Sequence, residues 1–256
     1  MRAVVVGASS GLGRSIGIGM ARRGAQVALL ARRHDNLVAA AAEAGAAAIA
    51  IRCDVTDEAS CAAAIEEAAA GLGGIDALVY STGIGPLSRI EALDATTWRR
   101  AFDTNVVGAS VITAAALPHL QASHGAAAYL SSVSASLTAP WPGLAAYLVS
   151  KAALDKLVEA WRAEHPEVGF TRVTVGDCIG GEGESMTQFA NEWDSDLAVE
   201  LGPIWFERGF MNGGFIEIDE LVTLVHNVVS HGASAAIPSV TITPRPPFAA
   251  PPEVQS

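Results

Sequence analysis

Ala3-Val4-Val5-Val6-Gly7-Ala8-Ser9-Ser10-Gly11-Leu12-Gly13-Arg14-Ser15 is the stretch on which the fold turns. A β-branched apolar run stops at Gly7. Two further glycines follow at 11 and 13, and a helix-prone segment then runs from Ser15 to Arg23, with Gly24 as its stop. Four apolar residues without alternation read as a short strand buried on both faces. Glycine tolerates φ > 0 and lets a backbone approach a diphosphate closely, and a helix N-terminus offers free N–H groups and partial positive charge. Three glycines alone are also compatible with a plain tight turn, so the surrounding pattern has to decide.

That pattern repeats along the chain. Further strands are expected at 26–31, 48–53, 76–80, 126–131, 169–175 and 236–242. Between them lie helical segments at 37–43, 56–70, 147–164 and 217–230, and one long helix over 96–120 that should stop near Pro118. Alternating strands and helices predict an α/β fold: a Rossmann-type, doubly wound parallel sheet of about seven strands with helices on both faces. One domain should span 1–256, because no strand-to-strand spacing leaves room for another. The segment 180–215 is long, weakly periodic and rich in Gly, acidic and aromatic residues, which suits a substrate lid. The tail 243–256 holds Pro244, Pro246, Pro247, Pro251 and Pro252, so it is neither a central strand nor a helix.

Composition narrows the function classes. Of 256 residues, 50% are hydrophobic and 17% charged, enough for a self-sufficient core and too apolar for global disorder. Acidic residues number 27 against 16 Lys and Arg, a formal net charge of −11 that disfavours nucleic acid and anionic membranes as partners. Cys53, Cys61 and Cys178 are odd in number and lack zinc-site spacing, so no metal is expected and a reducing cytoplasm is. No signal-peptide pattern or membrane span is read from the sequence.

The second strand ends at Ala31-Arg32-Arg33. A carboxylate there would accept the ribose hydroxyls of NAD, whereas guanidinium groups suit a 2′-phosphate, so NADP(H) is favoured over NAD(H). Tyr147 and Lys151 are four apart in a helical segment and share a face. A free phenol titrates near pH 10, and a neighbouring ammonium should lower that value toward acid–base use at neutral pH. Ser132 ends the fifth strand, where its hydroxyl could polarise a carbonyl.

With the glycine turn, Asp54-Val55 after the third strand, Asn105 inside a helix, Ser131-Ser132 and Tyr147-Leu148-Val149-Ser150-Lys151, the chain resembles the short-chain dehydrogenase/reductase family. The resemblance implies an NAD(P)-dependent oxidoreductase interconverting a ketone or aldehyde and an alcohol. Asn105, Ser132, Tyr147 and Lys151 would be catalytic, with Asn105 anchoring a water that links the lysine to solvent. Gly7, Ser9, Ser10, Gly11, Leu12, Gly13, Arg32, Arg33, Asp54, Val55, Gly83, Tyr147, Lys151 and Ile179 would hold the cofactor. A homotetramer or homodimer packed through the helices around Phe102 and Leu154 is also implied. A nucleotide-binding protein without turnover, or a dehydratase or epimerase, stays open.

The sequence departs from the family in places. Val6 replaces a threonine. Tyr80-Ser81-Thr82-Gly83 keeps only the glycine of its motif, and the short Ser81 is expected to lose a bond across the sheet. Asp177-Cys178 replaces Pro-Gly and would face the cofactor or form a turn. Ser134 stands closer than Ser132 to the usual spacing from Tyr147, while strand register favours Ser132. Trp141, Trp193, Trp205, Phe206, Phe210 and Met211 suggest an apolar or aromatic substrate cleft, lid packing or subunit contacts. The acidic lid residues Glu182, Glu184, Glu192, Asp194 and Asp196 argue mildly against an anionic carrier-linked substrate, or form a plain solvated face.

Overall fold

Strand β1 (Arg2–Val6) sends its side chains into two separate cores. Ala3 and Val5 join one and Val4 and Val6 the other, and all four are fully buried. β2 (Gln26–Ala31) does the same, with Val27 and Leu29 on one side and Ala28 and Leu30 on the other. Burial on both faces is why these strands are apolar runs without alternation. The computed structural model describes residues 1–178, 180, 188–231 and 234–246.

The remaining strands are β3 (Ala48–Arg52), β4 (Ala77–Tyr80), β5 (Ala126–Ser132), β6 (Gly169–Val175) and β7 (Ser239–Ile242). They form one seven-stranded sheet in the order β3-β2-β1-β4-β5-β6-β7, and every pairing is parallel. The chain runs outward from β1 through β2 to β3, then crosses back to β4 on the other side of β1. Loops leaving β1 and β4 therefore diverge at their C-terminal ends and open a crevice, the usual place for a ligand in such sheets.

One core lies under α1 (Gly11–Arg22) and α9 (Ile218–Val229), through Ile16, Met20, Leu221 and Val225. The other lies under α3 (Glu58–Leu72), α5 (Gly108–Ser123) and α7 (Ala145–Glu164), through Ile65, Ile112 and Leu154. Two buried phenols in this second core are satisfied. Tyr80 donates to the Thr104 carbonyl, and Tyr129 shares a 2.7 Å bond with Thr113. Leu154 is fully buried in this core, while Val149 on the same helix is exposed.

Several sequence expectations are corrected. α1 begins at Gly11, not Ser15, because the end of the glycine turn is the first helical turn. The helix predicted over 96–120 is α4 (Ala95–Phe102), a π turn (Asp103–Val107) and α5. It does not stop at Pro118. Fully buried Leu120 and the Ser123 hydroxyl on the Ile75 carbonyl hold the last turn, and His124 ends it with φ of 49°. Within this 29-residue helical run an 18-residue window of mean hydropathy 1.3 is apolar and long enough to cross a membrane by composition alone. Ala109, Ile112, Ala116 and Leu120 bury one face of it in the core. The last strand starts at Ser239 because Pro238 has no N–H to donate. Two helices were not foreseen, the short α6 (Val133–Ser136) and, within the proposed lid, α8 (Ser195–Glu207). The Asp194 side chain caps α8 by accepting from Leu197 N at 2.8 Å, while α2 (His34–Ala44) covers the β2–β3 edge.

Candidate active site

The glycine turn sits where β1 ends and α1 begins. Gly7 has φ of +91°, and a Cβ there would lie 2.7 Å from Thr82 Oγ1. A Cβ on Gly13 would lie 2.3 Å from Ser81 Oγ and 2.4 Å from the Gly7 carbonyl. Both glycines thus let the turn close against the end of β4. Ser81 keeps a bond across the sheet after all, donating to the Val6 carbonyl at 2.5 Å, because the ends of β1 and β4 are in register and Gly13 leaves room for it.

Asp57, Asp94 and Asp194 cap α3, α4 and α8 with their carboxylates. The N-terminus of α1 has no side-chain cap. Ser9, Ser10, Gly11 and Leu12 instead line a cleft of about 820 Å³. An uncapped helix N-terminus facing a cleft retains N–H groups for an anion. Arg33 reaches this turn, donating to Ser9 Oγ at 3.0 Å and to Ser10 Oγ. Arg32, Asp54 and Val55 line the same end. Burial raises the Asp54 carboxyl, but the Thr56 N–H and hydroxyl, with Arg32 and Arg52 nearby, more than offset this and hold it below its ordinary value.

At the other end, Ser132, Tyr147 and Lys151 converge from the end of β5 and from α7, and Gly83 lies beside the lysine. Ser132 caps α6 by accepting from Ser134 N at 3.2 Å, and its hydroxyl is 2.9 Å from that of Ser134. Ser132 also faces Tyr147. Lys151 Nζ donates to the Leu130 carbonyl at 2.7 Å and lies 5.9 Å from the Tyr147 ring centroid.

The electrostatics differ from the sequence expectation. Burial pushes the Tyr147 phenol up to about 12, against a downward pull from Ser132. Lys151 does not offset that rise, because burial holds the ammonium itself at about 8 and it has lost its proton before the phenol titrates. Asp155, one turn further along α7, favours the charged lysine. Its own carboxyl is raised, by burial first, with Arg172 Nη1 at 3.4 Å acting the other way.

Asn105 is fully buried beside the site and does not line the cleft. Its Oδ1 accepts from Ile84 N at 2.8 Å, and its Nδ2 donates to the Ile84 carbonyl and to Ser150 Oγ. Both donors are engaged, so the side chain works as a strut between the loop after β4 and α7. Ile179 lies outside the described residues, as do Glu182 and Glu184. Asp177 and Cys178 do line the cleft. They are tied to Ile216 through a parallel bridge, and burial raises the Cys178 thiol to about 12, which is unlike a reactive thiolate. Among the described residues no cluster of His, Cys, Asp or Glu is arranged to hold a metal.

Residues 1–196 match the family model described as short chain dehydrogenase. The chain belongs to the short-chain dehydrogenase family. The chain is 35% identical over 179 residues to 11-beta-hydroxysteroid dehydrogenase A of Sesamum indicum, covering 68% of this chain and 51% of that one. It is 38% identical over 135 residues to cis-4-hydroxycyclohexanecarboxylate dehydrogenase of Sinomonas cyclohexanicum, covering 51% and 54%. The match therefore spans about half the length of these relatives. A short-chain type dehydrogenase/reductase from Mycobacterium marinum superposes with a TM-score of 0.81 at 26% identity, covering 94% of this chain and 93% of that one.

Several site residues of this short-chain dehydrogenase escaped the sequence reading. Phe189 lies against Tyr147, their ring centroids 4.6 Å apart. Gly85 seats it, and Ser150 holds Asn105. Asp155 was detectable as a carboxylate four residues beyond Lys151 in a helical segment. Phe189 carried no signal, being one aromatic in a weakly periodic stretch. Phe206 does not line the cleft and is 53% exposed. Trp141, Trp193, Trp205 and Met211 do line it, and Phe210 packs behind, stacked on Trp141.

Proposed function

We propose that this short-chain dehydrogenase is an oxidoreductase that moves hydride between NADP(H) and a ketone, aldehyde or alcohol, with Tyr147 exchanging the proton. The observation that carries this reading is that Tyr147, Ser132 and Lys151 meet in the same cleft that reaches the uncapped N-terminus of α1. Those residues fit a dinucleotide. The turn from Gly7 to Gly13 and the first N–H groups of α1 would take the diphosphate. Asp54 and Val55 would border the adenine, and Arg32 and Arg33 would take a 2′-phosphate. When bound, the cofactor supplies or accepts the hydride.

The remaining chemistry belongs to the chain. Ser132 donates to the substrate oxygen and orients it. Tyr147, its pKa raised to about 12 by burial, holds its proton at neutral pH and is in the right state to protonate an oxygen during reduction. For alcohol oxidation the same phenol must release its proton, and the ammonium of Lys151 on the same helix face favours that release. Asn105 is a positioning residue that fixes the loop bearing Gly83 against α7.

The test is Tyr147→Phe, assayed for NADPH oxidation over a carbonyl panel and for NADPH binding. General acid–base catalysis is worth about 10²–10⁴-fold, so turnover should fall by about that factor while the NADPH Kd changes by less than about threefold. Retained turnover would refute the assignment of the acid. NADPH binding by the wild type without turnover of any carbonyl would instead favour a nucleotide-binding protein.

A further inference from the structure

The space beside the Tyr147 ring is occupied by a side chain of the protein itself. The Phe189 ring lies over the Tyr147 ring at 4.6 Å and 57°. It fits there because residue 85 has no side chain. A Cβ on Gly85 would fall 2.1 Å from Phe189 Cε2 and Cζ and 3.2 Å from Tyr147 Cδ2. Gly85 is thus a notch in the loop after β4, and Phe189 is its occupant.

From Phe189 a wall of rings runs outward. Trp193 meets Phe189 edge-on at 5.3 Å, Trp205 meets Trp193 at 5.8 Å, and Trp141 meets Trp205 at 5.6 Å. Each indole N–H already has a partner within the chain: Gly85 O at 2.7 Å, Pro142 O at 3.0 Å and Thr138 Oγ1 at 2.8 Å. The wall therefore offers ring surface and no indole donor. Arg100, a cation lining this end, lies 3.5 Å from Glu192.

We propose that Phe189 is the specificity-determining residue of this site, and that the substrate is a bulky, uncharged, apolar ring ketone or its alcohol, which replaces the Phe189 ring beside Tyr147. The proposal rests on the hydride-transfer reading above. A carbonyl reaches the phenol only when Phe189 leaves the notch, and leaving it gives up ring contact with Tyr147 and Trp193. An apolar ring entering the same space restores those contacts. A small carbonyl does not, and a carboxylate would lose water against ring faces whose indole N–H groups are already engaged, beside an Arg100 already paired with Glu192.

Three probes with NADPH separate these cases: 2-decalone, cyclohexanone and 4-oxocyclohexanecarboxylate. In the wild type kcat/KM should fall at least tenfold at each step in that order. Phe189→Ala removes the need to empty the notch, so the preference for 2-decalone over cyclohexanone should shrink at least threefold, and Phe189→Leu should fall between. Gly85→Ala, which unseats the ring from the other side, should move the ratio the same way. An unchanged ratio in Phe189→Ala and Phe189→Leu, or a keto acid turned over as well as cyclohexanone, would overturn the proposal. If the wild type reduces none of the three, the hydride-transfer reading has failed, and tryptophan fluorescence still tests the wall. Saturable binding of 2-decalone at least tenfold tighter than of the keto acid supports the proposal, and equal or absent binding overturns it.

Discussion

Lys151 should destabilise the folded protein at neutral pH, and removing its charge should show by how much. Its side chain is 4% exposed and its Nζ donates to the Leu130 carbonyl. Burial holds its pKa at about 8 against an ordinary 10.5, with Asp155 pulling the other way. The difference is about 2.5 units, or about 3 kcal/mol at about 1.36 kcal/mol per unit. Below pH 8 both folded and unfolded chains carry the proton, and the full cost of burying the charge is present. Between pH 8 and 10.5 the unfolded chain binds a proton that the folded chain does not, so the free energy of unfolding rises with pH. In Lys151→Met this rise is absent. The lost bond to Leu130 adds an offset of about 1 kcal/mol that does not depend on pH. Urea unfolding followed by tryptophan fluorescence should therefore show wild-type stability gaining up to about 3 kcal/mol on the variant between pH 7.5 and 10.5. Lys151 and Lys156 are the chain's two lysines, so ¹³C-labelled lysine NMR reads the titration directly. Asp155→Asn should lower the Lys151 midpoint further. Parallel stability curves, or a Lys151 midpoint near 10.5, would refute the reasoning.

Three other perturbations follow from the geometry. Gly13→Ala drives a methyl against Ser81 Oγ and the Gly7 carbonyl, so it should destabilise by about 1–3 kcal/mol and weaken NADPH binding at least tenfold, read by urea unfolding and by titration. Arg33→Ala should raise the NADPH Kd about tenfold, about 1.4 kcal/mol, and change the NADH Kd by less than threefold; equal losses for both would remove the 2′-phosphate assignment. Phe170→Ala opens the core where Phe170 stacks on Trp161 at a 6.0 Å ring separation, and should cost about 3–5 kcal/mol in urea unfolding with the NADPH Kd unchanged.

What was legible in the sequence was local. β1 and β2 were readable because burial on both faces demands an unbroken apolar run, and the glycine turn because its glycines follow such a run and precede a helix. Tyr147 and Lys151 were readable as a pair because one helical turn sets their relation whatever surrounds them. α8 was hidden by Gly202 and Pro203 in its interior. It stands because Asp194 caps it and because Leu201 and Trp205, four apart, bury themselves against Trp141 and Leu144. The missing bond at Pro203 would have gone to Val199, a residue 76% exposed, where water can take its place. Likewise Pro118 reads as a stop in the sequence, and only the partners of Leu120 and Ser123 show why the helix passes it.

The site divides along the same line, and the division bears on its chemistry. Residue types and order pointed to Ser132, Tyr147 and Lys151, but their protonation depends on what lies around them. A lysine beside a tyrosine lowers the phenol's pKa only as far as the lysine itself is charged. Packed between α7 and β5, Lys151 is brought down to about 8, by burial first, with Asp155 favouring its charge. Asn105 looked like a group presented to solvent chemistry, yet the π turn around it aims both of its donors at Ile84 and Ser150. Phe189 over Tyr147 depends on the missing side chain of Gly85, a residue 104 positions earlier, and no pattern within either segment records that relation. The proposed acid–base roles were therefore visible as local spacing, whereas the proposed substrate choice and the proton affinities rest on contacts between distant segments.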